Sequence, residues 1–87
     1  MFSKMIENYI KNLTKKDIID FSNKEGITLD NNELDLIFNT IKTEYKTLLY
    51  SDSTNIFNNI KSRINPTSYQ KIKQLFETYK EKYKKYL

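Results

Sequence analysis

Five of the eleven acidic side chains of this chain gather at two places. Asp17 and Asp20 share one helical face, and Asp30, Glu33 and Asp35 crowd a single short segment. Grouped carboxylates can trade a proton or hold a hard cation, so these are the candidates for acid–base or metal chemistry. They have no helpers. The 87 residues include no histidine and no cysteine, which removes the usual general base near neutral pH, the thiolate nucleophile and the soft metal ligands. The second cluster has the look of a calcium loop, but it lacks the glycine and the terminal bidentate glutamate at their required offsets. Acids also belong in the first turn of a helix, where they accept from free N–H groups and complement the dipole. Asp30 and Glu33 stand at the spacing of a capping box, which accounts for both. A single glycine leaves no phosphate-cradling loop. The expectation is a protein that is not an enzyme, with no cofactor and no metal.

The other chemistry-bearing segment is basic and aromatic. Residues 1–66 carry nine basic and nine acidic side chains, so the whole excess of +4 lies in the last 21 residues. There, six lysines stand against Glu77 and Glu81, and over 79–87 they alternate with tyrosines. Tyr79, Tyr83 and Tyr86 are the candidate anchors of an interaction surface, with Lys80, Lys84 and Lys85 as its charged rim. Such a helix end fits a protein partner, a second copy of the chain included. The alternative is a nucleic-acid-binding accessory role, with the same lysines meeting phosphates and the rings stacking on bases. An anionic membrane surface is a further reading. Coding bias also explains the composition: Lys, Asn, Ile, Tyr and Phe, which have A/T-rich codons, make up 47 of 87 residues. Only Arg63 among the 15 basic residues is arginine, the side chain that grips phosphate with a bidentate fork.

Helices must position these groups. Phe2, Met5, Ile6, Tyr9, Ile10 and Leu13 recur at helical spacing and predict a helix over 2–12 that packs on the core. Thr14 and Asp17 cap a second helix, about 15–25, with Leu13 and Ile18 placed as a staple. Gly26 fits the left-handed position that closes it, with Ile27 packing back on Phe21. Asp30 opens a third helix, bracketed by Leu29 and Leu34, whose apolar stripe runs to about Tyr50. Ser53 or Thr54 caps a fourth, with Ile56, Phe57, Ile60 and Ile64 inward and its end at Asn65. Pro66 suits the first position of a fifth, striped by Tyr69, Ile72, Phe76, Tyr79, Tyr83 and Tyr86. Neither an alternating strand pattern nor an internal repeat stands out. The fold class is therefore all-α: a compact five-helix single domain, 1–87, with short capped connections.

The corner around Gly26 also has the outline of a DNA-binding helix-turn-helix. That alignment puts Asn32 and Asp35 at buried apolar positions and opens the recognition helix with three acids, which repel phosphate. An ordinary capped corner is the better reading. The longest apolar runs are two or three residues, against roughly 20 for a bilayer span, and no secretory signal pattern begins the chain. With no cysteine in addition, a cytoplasmic location is expected.

Leu13-Thr14-Lys15-Lys16-Asp17-Ile18, Gly26-Ile27-Thr28-Leu29-Asp30, Ile64-Asn65-Pro66-Thr67 and Gln74-Leu75-Phe76 carry a resemblance over roughly 9–79. In these segments the chain resembles the YqfT-like family of small helical proteins of unknown function from Bacillus-type bacteria. The resemblance departs near 51–54 and after Tyr79. It implies a helical fold, and it implies no functional residues. The function expected from the residues is that of a non-enzymatic protein–protein interaction module.

Overall fold

Several of the helix boundaries have a local chemical cause. The structure is a computed structural model that describes residues 2–83. Among them run α1 (Phe2–Asn12), α2 (Lys15–Lys24), α3 (Asn31–Tyr50), α4 (Thr54–Lys61) and α5 (Pro66–Tyr83), with no strand. The fold is all-α, and α3 and α5 are the longest helices at 20 and 18 residues. The backbone divides into two compact units, Met1–Tyr45 and Lys46–Leu87, with the boundary inside the continuous α3.

In the first unit, α2 opens on a complete capping box. The Asp17 N–H donates to Thr14 Oγ1 at 3.2 Å and the Thr14 N–H donates to Asp17 Oδ2 at 2.9 Å. The helix closes at Gly26, whose φ of 71° lies in the left-handed region. The Ile27 N–H donates to the Ser22 carbonyl at 2.8 Å and the Gly26 N–H to the Asn23 carbonyl at 3.2 Å. Those two bonds satisfy carbonyls that the helix end would otherwise orphan. Ile27 is buried, whereas Phe21 keeps a large exposed surface. A second reciprocal box opens α3: the Glu33 N–H donates to Asp30 Oδ1 at 2.8 Å, and the Asp30 N–H to Glu33 Oε1 at 2.9 Å. Leu13, Ile18, Ile27, Leu34 and Ile37 are this unit's buried apolar residues.

Helix α1 departs from the expected core packing. Leu13 beyond its end is buried and Ile6 and Ile10 are half-buried, but Met5 and Tyr9 are each 66% exposed. Its apolar arc is wider than the cover available, so one edge of the stripe faces solvent.

The second unit shows two further departures. Ser53 sits at the N-cap of α4 without a side-chain cap bond, and the Thr54 hydroxyl does not cap either. Asp52 takes the role, its Oδ1 accepting from the Thr54 N–H at 2.9 Å and the Thr54 hydroxyl at 2.6 Å. Helix α4 also ends at Lys61 rather than reaching Asn65. Asn65 is held outside the helical region by Pro66 and is needed as the cap of α5. Its Oδ1 accepts from the Thr67 N–H at 2.8 Å and the Ser68 N–H at 3.3 Å. The chain therefore turns over 62–64, which still delivers Ile64 to the interior beside Phe57, Ile60 and Tyr69 as the buried apolar set.

Candidate interaction surface

The stripe of α5 loses its cover along its length. Tyr69 is 5% exposed, Ile72, Leu75 and Phe76 are half-buried, and Tyr79 is 41% exposed. The Phe57 ring anchors the covered end, 4.9 Å between centroids from Phe76 and 6.4 Å edge-on from Tyr69. Beside these rings lies a shallow groove of about 210 Å³, lined also by Ser53, Thr54, Asn58, Lys73 and Glu77.

Of the candidate surface residues, Tyr79 stands exposed and Lys80 does not act as a solvated rim. Lys80 is half-buried; its ammonium lies 5.4 Å from the Phe76 ring centroid and donates to the Ser51 carbonyl at 3.3 Å. That carbonyl follows the C-terminal end of α3, where the dipole is negative and a cation is favourable. Tyr83 ends α5. The Tyr83 side chain and residues Lys84, Lys85, Tyr86 and Leu87 lie outside the described residues.

The clustered acids are taken up by caps and ion pairs. Asp30 and Glu33 hold each other's N–H groups, with Glu33 buried and Asp30 exposed. Asp35 pairs with Lys15 at 2.6 Å, and Asp20 pairs with Lys16 one turn away at 2.8 Å. The Lys16 ammonium is raised above its ordinary value, first by that hydrogen bond and then by the Asp20 charge. No group of three metal-ligating side chains forms among the described residues.

Two exposed carboxyls are held below the ordinary aspartate value by hydrogen bonds to the ionised form. For Asp17 the main cause is the Thr14 backbone N–H, followed by its hydroxyl; for Asp52 it is the Thr54 hydroxyl, followed by the backbone N–H. A depressed folded value means that the unfolded chain takes up these protons first. The stabilisation is present above the ordinary aspartate value of about 4 and is lost as pH falls through the lower folded values. The melting temperature should therefore drop between about pH 5 and pH 2. An Asp17→Asn, Asp52→Asn double variant should melt lower at pH 7 and show a flatter acid limb. Differential scanning calorimetry across that range checks both; an acid limb as steep as the parent's would detach these caps from the effect.

Sequence inspection passed over one lysine. Lys42 donates to the Ile10 carbonyl at 2.6 Å and the Lys11 carbonyl at 2.9 Å, at the end of α1, and lies 5.4 Å from the Phe38 ring centroid. Lys15 stands 5.7 Å from the same ring. The available signal was the one-turn spacing of Phe38 and Lys42, which places a cation on a ring but does not say which carbonyls it will reach.

No helix of the described residues is long and apolar enough to cross a membrane. Among known proteins, no curated protein and no solved structure matches the chain. A family model described as a protein of unknown function, DUF2624, matches residues 1–80. The match spans the helical order set out above and stops at Lys80, leaving the lysine- and tyrosine-rich end outside it. This chain belongs to the DUF2624 family of proteins of unknown function.

Proposed function

We propose that the protein is a non-enzymatic cytoplasmic interaction module that contacts protein through the far end of α5, with a second copy of the chain as the first partner to test. Within its family, we place it with the YqfT-like proteins of Bacillus-type bacteria, on the capping segments quoted above. The observation that carries the reading is Tyr79, a large aromatic side chain 41% exposed where the buried stripe of its own helix runs out. Aromatic surface left wet is costly, and exposed tyrosines serve as contact anchors because each pairs a ring with a polar tip. The intramolecular engagement of Lys80 takes one cation away from the rival nucleic-acid reading.

Light scattering on the full chain and on a Tyr79→Ala, Tyr83→Ala variant tests this. A dimer that becomes a monomer in the variant, with an unchanged circular dichroism spectrum, supports the contact. A monomer in both removes self-association. Titration with a single-stranded oligonucleotide at low and high salt then decides for the alternative: phosphate binding weakens steeply with ionic strength through counterion release, whereas a tyrosine-anchored protein contact persists.

A further inference from the structure

Two twelve-residue segments of this chain match each other once the structure shows what they do. Leu34-Asp35-Leu36-Ile37-Phe38-Asn39-Thr40-Ile41-Lys42-Thr43-Glu44-Tyr45 lies on α3, and Ile72-Lys73-Gln74-Leu75-Phe76-Glu77-Thr78-Tyr79-Lys80-Glu81-Lys82-Tyr83 lies on α5. Phe38 and Phe76, Thr40 and Thr78, Lys42 and Lys80, and Tyr45 and Tyr83 coincide at one constant offset. Leu34 with Ile72 and Ile37 with Leu75 keep aliphatic character at the same offset.

The surroundings repeat as well. Asn12, which ends α1, and Tyr50, which ends α3, stand at that offset, as do Thr14 and Asp52. Thr14 and Asp52 each turn a side-chain oxygen to a backbone N–H at the start of the next helix, the short α2 or α4. In both units the lysine one turn after the phenylalanine lies 5.4 Å from its ring. In both it donates near the end of an earlier helix, though not at matching positions: to the Ile10 and Lys11 carbonyls in the last turn of α1 for Lys42, and to the Ser51 carbonyl just past α3 for Lys80. Each set of contacts stays within its own unit, and the unit boundary follows Tyr45, the last residue of the first segment. The repeat escapes sequence inspection because the two segments share few identities and differ in charge, Asp35 standing against Lys73 and Asn39 against Glu77.

We propose that the chain is two successive versions of one helical unit, each closed by its own lysine strap, and that the units open separately. The cation joins the negative end of one helix to the aromatic ring of another, so removing it loosens the unit that contains it. In the second unit the strap is one bond of 3.3 Å, where the first has two of 2.6 and 2.9 Å.

Native-state amide exchange on the full chain reads this directly. Lys80→Met should speed exchange in α4 and α5 by about three- to tenfold, the loss expected for a hydrogen bond and its ring contact, with α1 and α2 unchanged. Lys42→Met should produce the mirror result, fast in α1 and α2 and unchanged in α4 and α5. Lys80→Arg, which keeps the cation, should retain most of the protection. Equal acceleration of all helices by Lys80→Met would show one global opening and overturn the proposal, as would no acceleration, or an arginine variant no better than methionine. Should Lys42→Met fail to fold, the distribution of exchange in the two Lys80 variants decides alone.

Discussion

Replacing Phe57 with alanine should lower the unfolding free energy by about 3 kcal/mol. The ring is buried and meets two others, tilted against Phe76 at 4.9 Å and edge-on to Tyr69 at 6.4 Å, so truncation removes both burial and aromatic pairing. Phenylalanine-to-alanine changes in cores span roughly 3–5 kcal/mol, and the low end applies because Phe57 also lines an open groove. Water entering that groove replaces the sealed void that makes the costliest cases costly. A loss of this size is a large share of the roughly 5–13 kcal/mol expected for a chain of this length. Urea unfolding followed by circular dichroism measures it, and Phe57→Leu, which keeps most of the volume, should cost less than half as much. A loss below about 1 kcal/mol for the alanine variant would show that Phe57 is not a core residue.

Replacing Gly26 with alanine should cost about 1–2 kcal/mol, because a Cβ at positive φ collides with the neighbouring carbonyl. The effect extends beyond one dihedral. At φ 71° the turn lets the Gly26 and Ile27 N–H groups satisfy the Asn23 and Ser22 carbonyls, and it carries Ile27 into the interior at 4% exposure. Backbone relaxation away from the left-handed region would lengthen those bonds and lift Ile27 from its place. The melting temperature should fall by at least about 4–8 °C. Asparagine, which tolerates this conformation better, should recover part of the loss. An alanine variant as stable as the parent would mean that α2 does not close on this motif in solution.

Most starts and stops of the helices were legible in the sequence because they are decided within a few residues. Thr14 with Asp17, Asp30 with Glu33, Gly26 closing α2, and Pro66 opening α5 all work through bonds or dihedrals that no distant residue sets. Where two local demands competed, the structure differs from the expectation. Asp52 displaced the adjacent hydroxyls because a carboxylate is the stronger acceptor. Asn65, required by α5, drew back the end of α4.

The candidate surface was legible only in part. Tyr79 is exposed, but Lys80, read as part of the charged rim, is spent on a ring and a carbonyl of its own unit. The same holds for Lys42, whose acceptors lie more than 30 positions earlier. Helical periodicity determined which side chains share a face. Tertiary structure alone decided that Ile6 and Ile10 are partly covered while Met5 and Tyr9 are not. The physical reason is one of range: caps and turns are short-range bonds written into neighbouring residues, whereas burial and the reach of a flexible ammonium depend on which distant surface the folded chain brings alongside.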